Sequence, residues 1–324
     1  MNIGDIEIVP IASESMGVRS FCTRIGTPDL SILLDPSAAL SKRYRLEPHP
    51  QEYRMLESKL QQIFVEARRA DLISISHYHF DHVRPGFTDF HYIFSSREEL
   101  QRMLEGKEIW AKDSRENINP SQRRRAYYFQ KDIEGIVRKL KWSDSEKTKY
   151  DNTSIEFSQP LPHGPERTPL GFVIATTIKY DDHSVVFAPD IQGPCSESTL
   201  QYLQSQKPSA VIVGGPPTYI SRFRDHHRAL AKSALRTLAK SVSVVIVDHH
   251  LLRDNEWRDW LVPIREAAEI EGNTVYTMAE VLGEKNRSFE AERIQLYETI
   301  PPNDDFMNWC NATDEYKKAN RPPI

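Results

Sequence analysis

Four potential metal ligands fall within six consecutive residues of the segment ISISHYHFDHVRPGF. They are His77, His79, Asp81 and His82, in the pattern HxHxDH, and they directly follow a run that predicts a β-strand. Side chains alternate along an extended chain, so His77 and His79 project to one side and can reach one ion. Asp81 and His82 come after the turn and can face a second ion. Imidazole nitrogen and carboxylate oxygen suit zinc and other first-row divalent ions, whereas an oxygen-only cage would suit calcium or magnesium.

Further candidate ligands follow strand-like runs later in the chain. His163 stands in LPHGPERTPLGF, Asp190 ends the run HSVVFAPD, and His249 and His250 end the run SVSVVIVDHH. Adjacent residues at a strand end point in opposite directions, so we expect only one of the last two histidines to reach an ion. His249 is favoured because it is closer to the strand. Asp248 is then a candidate hydrogen-bond partner for a ligand imidazole, with a solvated turn residue as an equally weighted alternative.

HYHFDH, together with these downstream residues, resembles the signature of the metallo-β-lactamase superfamily. The resemblance implies a four-layer αββα sandwich with metal ligands on loops at one edge of two packed sheets. It implies one ion bound by His77, His79 and His163, a second bound by Asp81, His82 and either His249 or His250, and Asp190 bridging the two. Asp35, in ILLDPS, matches an early aspartate that supports the site without touching metal. The phrases VVFAPDIQGP and VGGPPTYI are most similar to a branch found mainly in archaea, for which the resemblance implies no particular substrate.

This ligand set predicts a hydrolase. Two divalent ions are expected, zinc first, with iron or manganese as alternatives. They bring four positive charges, and the carboxylates of Asp81 and Asp190 neutralise two of them. A bridging hydroxide leaves about one net positive charge, so the site should prefer an anionic or polarised group. We therefore expect metal-bound hydroxide to attack a phosphoester or an ester-type small molecule, with Asp81 orienting the hydroxide and accepting its proton. His226 or His227 is the candidate donor to the leaving group.

The segment SRFRDHHRAL places basic residues near a predicted helix start. Arg222 and Arg224, with His226 and His227, are candidates for an anion-binding lip that grips a substrate phosphate or carboxylate. A solvated polar helix entrance is the favoured alternative, because charge clusters near helix ends are common.

The segment SQRRRAYYFQ combines three arginines with three aromatic residues, a composition that nucleic-acid sites use to hold phosphates and stack bases. A basic helix face with its aromatic residues turned to the core is favoured instead. So short a run in a net acidic chain does not make a binding surface, and nucleic acid is an open but unindicated partner.

The sequence predicts pairs of strands in the first part of the chain and alternating strands and helices in the later part. These elements must position the candidate ligands. Strands are predicted at 6–10, 20–25, 30–35, 72–76, 171–179, 184–188, 210–213, 243–247 and 274–277, and helices at 54–67, 228–240 and 257–268. This order predicts two sheets covered by helices in a single metallo-β-lactamase-like domain over residues 1–285. Residues 88–152 are expected to be an inserted elaboration on the core, and residues 286–324 a C-terminal extension.

Composition narrows the class of protein. The 324 residues are 39% hydrophobic and 27% charged, a composition that argues against general disorder. The formal charge of −4 argues against extensive electrostatic binding to DNA or anionic lipid. The three cysteines, Cys22, Cys195 and Cys310, form no CxxC pair and predict a reducing, cytoplasmic setting. No signal peptide and no apolar run of about 20 residues is present, so no membrane association is expected. Oligomeric state is not predicted.

Three other functions stay open. A nucleic-acid-processing nuclease or phosphodiesterase is less favoured, because no separate inserted domain is recognisable between Asp190 and His249. Diiron redox members of the superfamily carry glutamate at the position of His79 and add a flavin domain, and this chain has neither. A non-catalytic metal-binding scaffold would be expected to lack ligands, and none is missing.

Overall fold

Two mixed β-sheets lie face to face in the computed structural model, which describes residues 1–324. The first sheet contains, in spatial order, β1 (Asn2–Ile3), β2 (Ile6–Ser13), β3 (Phe21–Gly26), β4 (Ser31–Leu34), β5 (Leu72–Ile75), β6 (Glu108–Ala111) and β7 (Lys139–Trp142). The second contains β16 (Thr274–Tyr276), β15 (Val244–Asp248), β14 (Ala210–Gly214), β13 (His183–Ala188), β12 (Thr176–Tyr180), β9 (Thr153–Phe157) and β8 (Lys147–Tyr150). A separate hairpin pairs β10 (Leu161–Pro162) with β11 (Phe172–Val173).

Ten helices complete the structure. They are α1 (Pro50–Arg69), α2 (Arg97–Leu104), α3 (Pro120–Ile133), α4 (Glu197–Ser205), α5 (Asp225–Ser241), α6 (Trp257–Ile270), α7 (Met278–Val281), α8 (Arg293–Thr299), α9 (Asp304–Cys310) and α10 (Asp314–Ala319), with a short 3₁₀ helix at His249–Arg253. None of them combines the length and the apolar character that crossing a membrane requires.

Alternation along the strands builds a layered core. In β13, Val185 and Phe187 pack between the two sheets, whereas Val186 and Ala188 pack against the helices on the outer face. In the first sheet, Leu72 faces the second sheet and its neighbour Ile73 faces α1, α2 and α3. Because successive side chains point to opposite faces, strands that are buried on both sides are apolar throughout. The predicted αββα sandwich is confirmed.

Helix α1 shows how local sequence sets the bounds of an element. His49 caps its N-terminus, Glu52 completes the capping box, and Pro50 occupies the first helical position. The apolar side chains that predicted a helix over 54–67 form its buried face. The helix begins four residues before the predicted start because the capping residues precede the apolar pattern.

Two segments differ from the sequence-based expectation. Residues 88–152 supply β6 and β7 to the first sheet and β8 to the second, so they are part of the sandwich and not an elaboration upon it. The predicted strand 171–179 is two strands, β11 and β12, interrupted at Ile174 and Ala175. The Ile174 N–H leaves the hairpin and donates to the Ser76 carbonyl at 3.1 Å, an ordinary length for a backbone hydrogen bond.

Residues after 286 pack on the helical face of the first sheet. Phe306 and Trp309 join the core beneath α1. Arg293 forms a buried ion pair with Glu52 at 2.8 Å, and Lys317 reaches Glu47 at 2.9 Å. The C-terminal helices therefore fold against α1 and the loop that precedes it.

Candidate metal centre

The loop after β5 brings the HxHxDH residues to the edge where the two sheets meet. His77 Nε2 lies 3.0 Å from His79 Nδ1 and 3.0 Å from Asp190 Oδ2. His163 Nε2 lies 2.9 Å from the same carboxylate oxygen. The four side chains place one nitrogen or oxygen each within 4.8 Å of one another, so they form a donor set of the size that one ion needs.

A second donor set overlaps the first. Asp81, His82 and His249 place one donor atom each within 4.8 Å of one another. His249 Nε2 lies 2.7 Å from Asp190 Oδ1, and His82 Nε2 lies 3.4 Å from Asp190 Oδ2. Asp190 Oδ2 therefore faces the first set and His82, while Oδ1 faces His249, so the carboxylate lies between the two sets as a bridging carboxylate would. We call the sets the first and the second position.

Strand ends with left-handed backbone aim three of the site carboxylates and imidazoles. Asp35 (φ 49°) and His249 (φ 67°) directly follow β4 and β15, and Asp190 (φ 50°) is the second residue after β13. Non-glycine residues in this region carry strain, and strain of this kind collects at functional sites. Gly214 permits the turn at Asp190, because a Cβ at Gly214 would lie 2.7 Å from the Asp190 backbone nitrogen.

Buried carboxylates fix the orientation of two imidazoles from behind. Asp35 Oδ2 is 2.8 Å from His82 Nδ1, and Glu14 Oε2 is 2.8 Å from His249 Nδ1. Ser76 donates its hydroxyl to Asp35 at 2.6 Å and is 2.9 Å from His77 Nδ1. Such contacts place the N–H on Nδ1 and leave the Nε2 lone pair facing the cluster.

The donor chemistry of the cluster fits metal ions. With the imidazoles neutral, His82 Nε2 and His249 Nε2 face each other as acceptors at 3.3 Å, beside the Asp190 carboxylate. Asp190 Oδ1 and His163 Nδ1 are buried without a hydrogen-bond donor or acceptor of suitable geometry. Converging lone pairs are unfavourable unless a positive charge lies between them, so this set matches two divalent cations better than a hydrogen-bonded core.

The electrostatics of the site point the same way. Burial alone would raise the pKa of Asp190, but the neighbouring imidazoles, His249 first among them, hold it well below its ordinary value. Burial lowers the pKa of His249, yet Glu14 and Asp190 outweigh it and raise that pKa well above the ordinary value. In contrast, burial and the proximity of His82 lower the pKa of His77 well below the ordinary value. The second position thus favours a positive charge, whether a proton or a metal ion.

His249 and His250 do not point in opposite directions, so the premise that only one of them can reach the cluster is wrong. The strand ends at Asp248, and the 3₁₀ helix begins at His249 with left-handed backbone. Both rings consequently face Asp190, with centroids 4.3 Å apart. His249 belongs to the set with Asp81 and His82. It also forms a further group of possible donors with Asp190 and His250, whose Nδ1 lies 3.8 Å from Asp190 Oδ1.

Asp248 does not bond a ligand imidazole, and it is not a solvated turn residue either. It is fully buried and accepts backbone N–H groups from Ser15 (3.1 Å), His249 (2.7 Å) and Met278 (2.9 Å). Burial raises its pKa to about 6. The imidazole of His249 is instead held by Glu14, because the left-handed turn rotates the ring away from the Asp248 carboxylate.

Sequence reasoning missed Glu14 and Arg253. Arg253, at the end of the 3₁₀ helix, donates from Nε to Glu14 at 2.7 Å, and its terminal nitrogen lies 3.4 Å from Asp81. It therefore links the group behind His249 to a ligand of the second position. Glu14 directly follows β2, just as Asp35 and Asp190 follow their strands, and that shared placement is the signal that could have identified it.

The basic residues of SRFRDHHRAL lie beside the cluster and not in it. Arg222 and His227 line a cavity of about 300 Å³ together with the loop that follows His163. Arg224 and His226 are exposed and do not line it. None of the four makes a hydrogen bond or an ion pair with a cluster residue, so no proton donor to a leaving group is identified among them.

The SQRRRAYYFQ segment forms the start of α3. Phe129 and Ala126 turn to the core, but Tyr127 and Tyr128 are half exposed. The expectation that the aromatic residues face inward therefore fails for both tyrosines. They lie one helical turn after the exposed residues Arg123 and Arg124.

Comparisons with known proteins agree with this architecture. No family model matches the chain. Among solved structures, the metallo-β-lactamase fold protein YhfI from Bacillus subtilis superposes with a TM-score of 0.52 over 87% of this chain and 97% of its own, at 13% sequence identity. With the two sheets and their covering helices, this superposition defines a protein of the metallo-β-lactamase fold.

Curated sequences then give the family. The UPF0282 protein of Methanopyrus kandleri is 40% identical over 294 residues, which is 90% of this chain and 99% of the relative. The UPF0282 protein of Pyrococcus furiosus is 37% identical over 90% of this chain and 92% of its own length. The chain belongs to the UPF0282 family, and the expected similarity to an archaeal branch of the superfamily is confirmed.

Proposed function

We propose that this protein is a dinuclear metal-dependent hydrolase that acts on a phosphoester or an ester-type small molecule. One observation carries the proposal: seven side chains form two donor sets that meet at the Asp190 carboxylate. When bound, two divalent ions, zinc first among the candidates, would supply Lewis acidity and a water of lowered pKa.

Residues of the chain would do the rest. His77, His79 and His163 would hold the first ion, and Asp81, His82 and His249 the second. Their buried partners Asp35 and Glu14 would keep the lone pairs aimed at the ions and raise the basicity of the imidazoles.

Asp81 is the candidate proton acceptor. Its side chain keeps 17% exposure, so a polar group that enters from solvent can reach it. Burial raises its pKa, but His82 and His249 outweigh this and hold the pKa well below its ordinary value, which keeps the carboxylate ionised at neutral pH. An ionised oxygen at this place can orient an attacking water and accept its proton.

Net charge supports an anionic or polarised substrate. Two divalent ions would exceed the charge of Asp81 and Asp190, while Glu14 is already compensated by Arg253. A phosphoryl or carbonyl oxygen would be attracted to the remaining positive charge.

The test has two measurements on the same preparation. Metal content by elemental analysis should give two tightly held ions per chain, and bis(p-nitrophenyl) phosphate and a simple lactone should report phosphodiester and ester hydrolysis. Fewer than one ion per chain would sink the proposal. Two ions with no hydrolysis of either class would leave a metal-binding protein without the proposed activity.

A further inference from the structure

A cavity of about 630 Å³ opens beside the HxHxDH loop. One wall is the loop from Phe80 to Phe87, and the other is the first half of α3, including Arg124, Arg125 and Tyr128. Phe80 separates His79 from Asp81 in the chain, so the cavity begins one residue from a ligand of each position. Its volume is that of a typical small-molecule site. We call it the ring pocket.

Aromatic side chains dominate the lining of the ring pocket. The rings of Phe80 and Phe87 meet edge to face at 5.4 Å, and Phe129 closes the base. Phe87 and Tyr128 are 46% and 51% exposed, so both rings are accessible from solvent. A flat ring that enters between them would bury apolar surface on both of its faces.

Arg125 supplies a positive charge at the inner end of the pocket, and the carboxylate that acts on it is Asp81 of the cluster, which does not form an ion pair with it. Its guanidinium lies 4.7 Å over the Phe80 ring, and its one polar contact is a long 3.4 Å hydrogen bond to the Tyr78 carbonyl. Other buried arginines of the protein differ, because Arg84 and Arg253 each pair with a glutamate. Arg125 is thus half-buried, next to the cluster, and free to bind an anion.

The acidic residue of the lining does not cancel that charge. Asp132 accepts the Gly86 N–H at 3.2 Å and lies 3.8 Å from Arg97 at the rim. Arg124 lies 6.0 Å from the Tyr128 ring and forms no ion pair, so it adds a second cation near the mouth. The pocket therefore combines a ring slot with a net positive charge.

We propose that the ring pocket binds the aromatic group of an anionic phosphoester, with Arg125 holding the phosphoryl oxygens where the pocket meets the metal cluster. This inference rests on the proposed hydrolase function for the reacting group only. Recognition of an aromatic anion is a binding property that can be measured without turnover.

An extended nucleic-acid surface is the competing occupant, since α3 carries three consecutive arginines. The structure favours the pocket because the three do not act together. Arg123 does not line the cavity, and it donates instead to the Arg115 carbonyl at 3.1 Å. Arg123 is consequently a matched control for Arg125 on the same helix.

The experiment titrates zinc-reconstituted protein with phenylphosphonate and methylphosphonate in a calorimeter. Both anions offer the same phosphonate group to the metal ions and Arg125, so the ratio of their affinities measures what the ring pocket contributes to binding the phenyl group. We expect phenylphosphonate to bind about tenfold more tightly, and Tyr128→Ala or Phe87→Ala to reduce the ratio to near one. Arg125→Ala should weaken both ligands about tenfold, and Arg123→Ala should change neither.

Equal affinities for the two phosphonates in the wild-type protein would overturn the proposal. So would an equal loss in Arg123→Ala and Arg125→Ala, particularly if a single-stranded oligoribonucleotide then bound more tightly than phenylphosphonate. A clear preference for phenylphosphonate without any phosphoester hydrolysis would retain the ring pocket and remove the hydrolase. Hydrolysis without that preference would do the reverse.

Discussion

Two buried polar clusters of this protein are built on opposite principles. Around Glu47, every strong acceptor has a donor: Lys317 contacts it at 2.9 Å, His91 at 3.0 Å and the Tyr92 hydroxyl at 2.9 Å. Around Asp190, imidazole nitrogens and carboxylate oxygens converge on one another, and Asp190 Oδ1 has no well-placed donor. The first cluster is satisfied within the protein, while the donor chemistry of the second fits metal ions.

The comparison distinguishes buried polar groups that stabilise the fold from buried polar groups that are placed to bind a ligand. Buried polar groups that only stabilise a fold satisfy one another, because each unpaired group costs about 1 to 3 kcal/mol. In the Asp190 cluster, the outer nitrogens of His82, His249 and His77 are held by Asp35, Glu14 and Ser76, while the inner nitrogens converge on the Asp190 carboxylate. This arrangement fits a site built around something that is not protein. Substitutions in the two clusters should therefore have different consequences.

The largest effect is expected for Asp190→Asn. The substitution keeps the size of the side chain and removes the charge that both positions share, so metal content should fall below two ions per chain. Hydrolysis should fall on the order of 10³-fold, as when a strong electrostatic stabiliser is lost. Asp182→Asn, in the exposed turn between β12 and β13, is the control and should change neither quantity. Retention of two ions in Asp190→Asn would contradict the bridging role.

Glu47→Gln should affect stability and leave metal binding unchanged. Burial opposes ionisation of Glu47, but its hydrogen bonds to His91, Lys317 and Tyr92 lower its pKa to about 2. A carboxyl whose pKa is lowered on folding stabilises the protein above its unfolded pKa of about 4.3, and this contribution is lost as pH falls toward 2. We expect the substitution to cost on the order of 2 to 3 kcal/mol at pH 7.

Denaturant unfolding across pH 2 to 7 measures this. The wild-type protein should lose stability between about pH 4.5 and pH 2, and Glu47→Gln should lose less over the same window. A parallel loss in both proteins would show that the Glu47 cluster is not the source of the pH dependence.

Glu14→Gln should weaken the second position selectively. The neutral amide can still contact His249 Nδ1 but no longer supplies a negative charge behind it, so affinity for the second ion should fall about 10-fold to 100-fold. Stepwise zinc titration against a competing chelator separates the two ions. Glu47→Gln serves as the matched control with the same chemical change elsewhere. Equal weakening of both ions would show that Glu14 acts through general stability and not through His249.

The smallest effect is expected for His250→Ala. Its ring faces Asp190 but joins neither complete donor set, so metal content should stay at two and hydrolysis should change less than about tenfold. His249→Ala, one residue earlier, should lose the second ion. If the two variants behaved alike, His250 would have to be counted as a ligand.

The sequence predicted the residues that meet in the cluster better than the residues behind them. The HxHxDH residues are recognisable because they fall within six positions, and Asp190 and His249 each come at the end of an apolar run. Glu14 is 235 residues from His249 in the chain, so nothing local marks the pair. Which residue lies behind an imidazole depends on a contact between sheets that only the folded chain defines.

The same reasoning explains the misread segment 88–152. Its strands β7 and β8 have the sequences KLKW and KTKY, and both are edge strands. Lysines on an edge strand discourage pairing with other molecules, and they also remove the apolar pattern by which a strand is recognised. Membership of the sheet is decided here by backbone hydrogen bonds to β6 and β9, which leave no imprint on composition.

The candidate ligands of each position come from both sheets: the HxHxDH loop follows β5, while Asp190 and His249 follow β13 and β15. An ion at either position would therefore cross-link the two halves of the chain. Separating the halves would require breaking metal-ligand bonds as well as exposing the apolar layer between them. Thermal unfolding of the metal-loaded protein should accordingly be a single transition whose midpoint temperature rises with the concentration of free zinc. Removal of the metal should weaken the contact between the two sheets before it disturbs either outer layer of helices.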